Sequence, residues 1–251
     1  MVFVGCQARL CGRRRTLQIR CGFIRMNGQI KFFVICEDSV SDMGQICQAL
    51  ADRDCVADVC LRKGENAYLP AFTHGEYGGL IVLGSAEGVD DAKEKNWIGH
   101  ALTHNVAVLG ICHGAQLLAC VRRSKSSFHK AKNLDLPDNG LSKICLSDAG
   151  KVNPLTAHIL PHDVLCQWHT WAYICPEQDE ELARSCNNRH SEIFRVEGTN
   201  SYGLQFHPEV SATKIGEYDS PQLYRDRYSE IASVGRRIID RWLTTVIGIQ
   251  G

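Results

Sequence analysis

A cysteine between an apolar strand and a helix carries the clearest chemical signal in the sequence. Cys112 follows the apolar run of residues 106–111 and precedes a segment of helical pattern, with Gly110 and Gly114 on either side. Small residues are needed at a sharp strand-to-helix turn because the backbone there is crowded and strained. Backbone N–H groups and the positive dipole end at a helix N-terminus favour a thiolate and an oxyanion. The pattern therefore predicts a nucleophilic cysteine at position 112.

The sequence Phe206-His207-Pro208-Glu209 offers a base for this nucleophile. A thiol nucleophile needs a base, and the base needs a group that fixes its tautomer. His207 ends an apolar strand pattern, Pro208 forces a turn, and Glu209 follows at once, so that its carboxylate is able to fold back onto the imidazole. Cys112 is far from His207 in the sequence, so the fold must bring them together. We predict a catalytic triad of Cys112, His207 and Glu209.

The remaining histidines and cysteines do not indicate a metal site or a disulfide framework. His100 and His104 lie one helical turn apart without a third ligand, which favours a solvated helix face. The chain has 13 cysteines, an odd number at irregular spacing, with no CxxC pair. A secretory segment is not evident before them, so a reducing compartment is the better interpretation. We therefore expect a cytoplasmic protein without a bound metal or cofactor.

Composition argues against two classes of partner. Basic and acidic residues balance at 28 each, so no overall field attracts nucleic acid or an anionic membrane surface. No apolar run reaches the length of roughly 18 to 20 residues that a bilayer-spanning helix needs. Neither a GxxxxGK[ST] phosphate loop nor an S-G-G-x-D-S stretch occurs, so the chain is not expected to activate an acceptor with ATP.

Short apolar runs alternate with amphipathic segments from residue 31 onward. This alternation predicts a mostly parallel central sheet with helices on both faces, in which sites lie at the carboxyl ends of the strands. The expected strands are residues 31–36, 56–61, 80–83 and 106–111, and the expected helices are residues 45–52, 92–104 and 114–121.

The composition of the sequence changes after Arg123. Residues 124–154 are polar and rich in turn formers, apart from an apolar strand pattern at 143–146. This half of the chain predicts a small antiparallel extension of the sheet rather than a second domain. Its expected strands are residues 158–160, 164–168, 191–196 and 202–206, and a closing helix is expected over residues 221–246.

The first 25 residues differ from the rest of the chain. Three hypotheses compete: an organelle-targeting segment, a nucleic-acid-binding arm, or upstream sequence that is not translated when Met26 is the true start. We favour the last, because the first core-like strand begins only a few residues after Met26. We predict an arm at 1–25 that is disordered or not translated, and one domain at 26–251. The arm's basic residues, with no acidic residue before Glu37, are Arg9, Arg13, Arg14, Arg15, Arg20 and Arg25.

Four stretches of the chain resemble the class I (triad) glutamine amidotransferases, in particular the stand-alone members similar to the glutaminase part of GMP synthase. The resemblance implies a flavodoxin-like class I glutamine amidotransferase fold over nearly all of the chain except the arm. It also implies that Cys112 attacks the side-chain amide of L-glutamine to give a thioester, that His207 acts as the base, and that Glu209 orients the His207 imidazole. The stretches are GGLIVLGS at 78–85, VLGICHGAQLLA at 108–119, VLCQWHTWAY at 164–173 and YGLQFHPEV at 202–210.

The same resemblance implies a set of substrate-binding residues. The oxyanion would be bound by the backbone N–H of His113 and by one from the Gly84-Ser85 turn. Gln116 would hold the substrate glutamine. Asp138 would correspond to a recurring acidic residue of the family, and His169 belongs to the family's W-H-x-D element.

Three departures from the family pattern leave other functions open. Ser85 stands where a second glycine is usual, Trp168-His169-Thr170-Trp171 lacks the acidic residue, and Asp138 is one methylene shorter than the usual glutamate. A γ-glutamyl peptidase or related thiol hydrolase would use the same triad on a larger γ-glutamyl compound. A regulatory or inactive scaffold that binds a synthetase partner is the non-enzymatic alternative. For the amidotransferase, we expect ammonia to pass to a separate acceptor protein.

Overall fold

A computed structural model describes residues 7–10, 17–20, 29–37, 39–63, 69–73, 75–85, 92–123, 133–186, 190–217 and 221–249. The strands in chain order are β1 Gln7–Leu10, β2 Leu17–Arg20, β3 Lys31–Cys36, β4 Val56–Leu61, β5 Gly79–Val82, β6 Ala107–Ile111, β7 Asn133–Ser142, β8 Ile144–Leu146, β9 Leu165–Trp171, β10 Glu180–Ser185, β11 Ser191–Arg195 and β12 Tyr202–Leu204. The α-helices are α1 Gly44–Ala51, α2 Ala92–Thr103, α3 His113–Arg122, α4 Asp148–Val152, α5 Pro221–Asp226 and α6 Tyr228–Ile249, with short 3₁₀ helices at Val40–Met43 and Lys214–Glu217.

Within these residues, the main sheet has ten strands in the order β1-β2-β4-β3-β5-β6-β12-β11-β10-β8. The central strands β4, β3, β5, β6 and β12 are parallel to one another. Antiparallel strands extend both edges, β2 and β1 beyond β4, and β11, β10 and β8 beyond β12. The predicted fold class, a mostly parallel α/β sheet with an antiparallel extension, is confirmed.

Both faces of the sheet are covered, and β3 shows how. Phe32 and Val34 point into a core shared with α1 and α6, whereas Phe33 and Ile35 point into a second core shared with α2 and α3. Because neither face meets water, the strand can be apolar at every position instead of alternating. Phe33 stacks on Trp97 of α2 with ring centroids 4.1 Å apart, which fixes the helix against this face.

The carboxyl-terminal half departs from the expected elements in three places. The strand expected at 158–160 is wrong: this segment is the end of a turn, in which the Ile159 N–H donates to the carbonyl of Thr156. The single helix expected at 221–246 is two helices, since α5 ends at Asp226 and α6 begins at Tyr228. β7, β10 and α4 were not expected, and β7 pairs with β9 in a separate two-stranded antiparallel sheet.

Two strands lie in the basic amino-terminal segment. β1 pairs with β2, and β2 pairs antiparallel with β4 at the edge of the main sheet. The division of the chain at residue 25 stays a prediction. Among the helices of the described ranges, none has the length and apolar character that a membrane crossing requires.

Candidate active site

Three adjoining parallel strands deliver the site residues to one edge of the sheet. Gly84 follows β5, Cys112 follows β6, and His207 follows β12. The register places Ile81 of β5 beside Leu109 of β6, and Ile111 of β6 beside Leu204 of β12. Since the carboxyl ends of neighbouring parallel strands meet at the same edge, residues distant in the sequence converge here.

Cys112 occupies a strained turn. Its backbone has φ 52° and ψ −108°, a region that residues other than glycine rarely adopt. Holding such a conformation costs on the order of 1–3 kcal/mol, so surrounding contacts must fix it. One of them is the hydrogen bond of 2.7 Å from the Cys112 N–H to the carbonyl of Leu204. The turn presents the thiol at the first turn of α3, where it is 6% exposed.

Two glycines make this turn sterically allowed. A Cβ on Gly110 would lie 2.6 Å from the carbonyl oxygen of Gly114, and a Cβ on Gly114 would lie 2.0 Å from that of Val82. Both contacts are with backbone atoms, which cannot rotate away. The absence of a side chain at these positions therefore lets α3 start directly against β5 and β6.

His207 and Glu209 lie in a turn that three elements hold. The Nδ1 of His207 and the Oε1 of Glu209 are 2.8 Å apart, and the His207 N–H donates to the carbonyl of Cys166 at 2.9 Å. The Glu209 carbonyl accepts the N–H of Gln45 at the start of α1, at 2.9 Å. On the other side, Gly235 of α6 lies so close to Pro208 that a Cβ there would be 2.1 Å from its carbonyl oxygen.

The electrostatic surroundings favour the charged form of His207. Burial lowers the pKa of this imidazole, but the charges of Glu209 and Cys112 outweigh burial and raise the pKa well above its ordinary value. With Nδ1 bonded to Glu209, Nε2 is the ring nitrogen left for the thiol. The arrangement is suited to a cysteine nucleophile paired with an imidazolium.

We expect Glu209→Gln to lower the pKa of His207, because it removes the carboxylate charge that contributes most to raising it. The imidazolium would then lose its proton at a lower pH than in the native protein. NMR titration of the His207 ring measures this directly. His169 should stay neutral over the same pH range, since burial and the charges of His190 and His207 lower its pKa to about 3.

The matched control for this titration is Asp148→Asn, the same carboxylate-to-amide change in an exposed ion pair with Lys151. It should leave the His207 titration where it is in the native protein. An unchanged midpoint in Glu209→Gln would contradict the dominant part that we assign to Glu209.

A buried polar network lies on β9 and β11 beside His207 and Glu209. Gln167 donates to both oxygens of the Glu192 carboxylate at 3.0 and 2.9 Å, and its own Oε1 lies 2.9 Å from Nε2 of His169. His190 approaches Glu192 at 2.9 Å. All four side chains are buried, so these hydrogen bonds offset the cost of removing the carboxylate from water.

None of Gln167, His190 and Glu192 was expected from the sequence to be a site residue. The available signal was weak: Glu192 is a charged residue next to the apolar pair Ile193 and Phe194 in an expected strand. Gln205 was also missed, although it stands next to the His-Pro-Glu motif. Its Nε2 is 3.8 Å from Sγ of Cys112, and its backbone N–H donates to the carbonyl of Glu192.

The residues expected to bind substrate lie in different surroundings. A Cβ on Gly84 would be 2.9 Å from Cε1 of His207 and 3.6 Å from Cβ of Cys112, so this glycine directly adjoins the pair. Ser85 lies near Glu37: burial raises the pKa of that carboxyl, but Lys63, Ser85 and the charge of Arg62 lower it. His113, the first residue of α3, has a buried side chain.

Gln116 and His169 are both linked to β9, the first by a hydrogen bond and the second as one of its residues. The Gln116 Nε2 donates to the carbonyl of Trp171 at 2.6 Å, which joins α3 to β9. His169 is buried in the polar network described above. Asp138 is paired with His169 in the β7–β9 register, and its side chain lies outside the described residues. Among the described residues, no group of three or more His, Cys, Asp or Glu side chains could hold a metal ion.

Comparison with known sequences identifies one protein family. The family model described as glutamine amidotransferase class-I matches residues 36–219. A subunit of the glutamine-hydrolysing GMP synthase of Methanocaldococcus jannaschii is 32% identical over 56% of this chain and 69% of its own length. The corresponding GMP synthase subunit of Thermoplasma acidophilum is 30% identical over 55% of this chain and 66% of its own length. The glutamine-hydrolysing GMP synthase of Ruminiclostridium cellulolyticum is 28% identical, and the match spans only 33% of its length.

Solved structures share the fold at low sequence identity. A glutamine amidotransferase from Thermotoga maritima superimposes with a TM-score of 0.69 at 18% identity, over 88% of this chain and 99% of its own. One from Methylobacillus flagellatus gives a TM-score of 0.71 at 19% identity, over 86% and 95% of the two chains. At these identities the superpositions establish the fold.

Proposed function

Because the chain belongs to the class I glutamine amidotransferase family, we propose that it hydrolyses the side-chain amide of glutamine with Cys112, His207 and Glu209 as its catalytic triad. The observation that carries the proposal is the position of Cys112 relative to His207 and Glu209. Cys112 lies in a strained turn near enough to His207 to raise the pKa of that imidazole, and Nδ1 of His207 lies 2.8 Å from Glu209. These three side chains would supply a nucleophile, a base and a group that orients the base at one edge of the sheet.

In the proposed first half-reaction, the Cys112 thiolate attacks the carboxamide carbon of glutamine and forms a tetrahedral oxyanion. The C–N bond then breaks, and the His207 imidazolium gives its proton to the leaving nitrogen, so that ammonia departs and a glutamyl thioester remains. Glu209 holds Nδ1 throughout, which keeps Nε2 directed at the thiol. The backbone N–H groups of His113 and Ser85 are the proposed oxyanion donors.

The second half-reaction returns the enzyme to its starting state. Water attacks the thioester carbonyl while neutral His207 accepts a proton from it. The C–S bond breaks, glutamate leaves, and the Cys112 thiolate again faces the imidazolium. The cycle consumes one glutamine and one water and yields glutamate and ammonia.

We propose that the ammonia passes to a separate protein. Two relatives are named as one subunit of a glutamine-hydrolysing GMP synthase. The match to the full synthase of R. cellulolyticum spans 33% of that protein, and the chain lacks the S-G-G-x-D-S stretch associated with ATP pyrophosphate chemistry. These observations support a glutaminase that supplies a synthetase partner. A cytoplasmic location stays a prediction.

Release of glutamate and ammonia from L-glutamine by the purified protein tests the proposal. A γ-glutamyl dipeptide in a parallel reaction tests the thiol-hydrolase alternative, and protein alkylated at Cys112 provides the blank. We expect turnover of glutamine that alkylation abolishes. Cleavage of the dipeptide alone would favour the γ-glutamyl peptidase. If neither compound is cleaved, the hydrolase proposal is contradicted and the regulatory scaffold is favoured.

A further inference from the structure

A buried arginine outside the sequence motifs holds the turn that adjoins the nucleophile. Arg62 follows β4, and its side chain is 8% exposed. Its Nη1 donates to the carbonyl of Gly84 at 2.7 Å and its Nη2 to the carbonyl of Leu83 at 2.9 Å. Two successive carbonyl groups after β5 are therefore bound by one guanidinium.

Two carboxylates fix the position of Arg62. Glu94 of α2 accepts from its Nε at 2.7 Å and from its Nη2 at 2.8 Å, a forked pair that defines the plane of the guanidinium. Glu37 lies 3.8 Å from its Nη1, and Ser85 lies near enough to this carboxylate to help lower its pKa. The turn is thus bound at both carbonyls by Arg62, and Glu37 lies beside Arg62 and Ser85.

The order of the strands determines which way the next N–H points. Arg62 lies at the end of β4, whereas Cys112 and His207 lie at the ends of β6 and β12, on the other side of β5. In a planar trans peptide the C=O and N–H point in opposite directions. When the Gly84 carbonyl points toward Arg62, the Ser85 N–H points toward the side of Cys112.

We propose that Arg62 is a positioning residue, which holds the Gly84-Ser85 peptide so that the Ser85 N–H faces the oxyanion formed on the substrate at Cys112. This inference rests on the proposed function, since it concerns the same reaction. It also gives Ser85 a structural part, since this residue lies beside Glu37. The donor is then set in place before substrate binds, which is the condition under which a hydrogen bond stabilises a transition state most.

The test compares two properties of Arg62→Met/Glu94→Gln, a double variant that removes both charges of the buried pair so that neither is left unpaired. Glutamine turnover needs the oxyanion donor. Alkylation of Cys112 by iodoacetamide, followed at the Cys112 peptide by mass spectrometry, needs the thiolate and no oxyanion donor. We expect kcat to fall by about 10²-fold, KM to change by less than about threefold, and the alkylation rate to stay within about twofold.

The control is Arg53→Met/Asp240→Asn, which removes a more exposed ion pair of 2.6 Å in which the arginine also binds a carbonyl, that of Ala49. Arg53 precedes β4 and Asp240 lies in α6, away from the carboxyl ends of the parallel strands, so kcat should not change. Arg62→Lys serves if the double variant does not fold, since one ammonium cannot bind Glu94 in a fork and both carbonyls at once. We expect the same selective loss of kcat in it.

Three outcomes overturn the inference. An unchanged kcat in folded protein would show that the turn does not need Arg62. An equal fall of kcat and of the alkylation rate would show a general structural role. If the native protein cleaves neither glutamine nor a γ-glutamyl dipeptide, the proposed function fails and this inference fails with it, whereas an active native protein with an equally active variant overturns the inference alone.

Discussion

Replacing Cys112 with serine is expected to lower glutamine turnover by about 10³-fold or more while the fold stays intact. Serine has nearly the same shape, and the hydrogen-bond contacts of Sγ to Gln205, at 3.8 Å, and to the carbonyl of Trp168, at 4.0 Å, are long. The hydroxyl, however, ionises far less readily than a thiol. Its proton would have to be removed by His207, whose raised pKa favours the protonated imidazolium.

The measurement is kcat for glutamine together with thermal unfolding, whose midpoint should stay within about 2 °C of the native value. The matched control is Cys120→Ser, which makes the same replacement on the same helix, two turns after the nucleophile. Turnover should persist in that variant. Undiminished turnover in Cys112→Ser would refute the assignment of the nucleophile, and an equal loss in Cys120→Ser would trace the effect to α3 instead.

The central strands were predictable because of where they lie. β3 and β4 begin and end at the residues expected from the sequence, 31–36 and 56–61. β5 is shifted by one residue at each end, and β6 begins one residue later than expected. Strands covered on both faces appear as continuous apolar runs, which stand out from the amphipathic helices between them. Local pattern and tertiary position agree in this part of the molecule.

The peripheral strands lacked such a signal. β10 carries Glu180, Glu181 and Arg184 and lies next to the edge strand β8, so its sequence has neither a continuous apolar run nor strict alternation. Conversely, the apolar residues near Ile159 suggested a strand, but Ile159 is buried from within a turn. Burial of a side chain does not require extended backbone, and a pattern of three residues cannot distinguish the two.

The candidate site shows the same division between local and tertiary information. Cys112, His207 and Glu209 were predicted from short motifs, in which the neighbouring glycine and proline residues determine the turns. The structure brings these three residues together. Arg62 and Glu192 have no comparable local signal. Their partners come from other strands and helices, and only the assembled sheet shows that Arg62 reaches the turn after β5.

Gly114→Ala is expected to destabilise the protein by about 3 kcal/mol or more, a fall of at least about 6 °C in the unfolding midpoint. The added Cβ would lie 2.0 Å from the carbonyl oxygen of Val82 and 2.9 Å from its Cβ. Because the clash is with the backbone of β5, no rotamer relieves it, and α3 must move away from the sheet. Cys112 precedes α3 directly, so alkylation of the thiol should slow as well.

Gly99→Ala is the matched control for this packing argument, because it makes the same replacement in a neighbouring helix with the opposite expected sign. Gly99 lies inside α2, and a Cβ there would meet nothing closer than Cγ1 of Val121 at 4.0 Å. Alanine in an open helical position should raise stability by about 0.5–1 kcal/mol. Equal midpoints for Gly114→Ala and the native protein would mean that the elbow does not require this close approach. Destabilisation together with slower alkylation of Cys112, in Gly114→Ala and not in Gly99→Ala, would show that the contact between α3 and β5 both stabilises the sheet and positions the nucleophile.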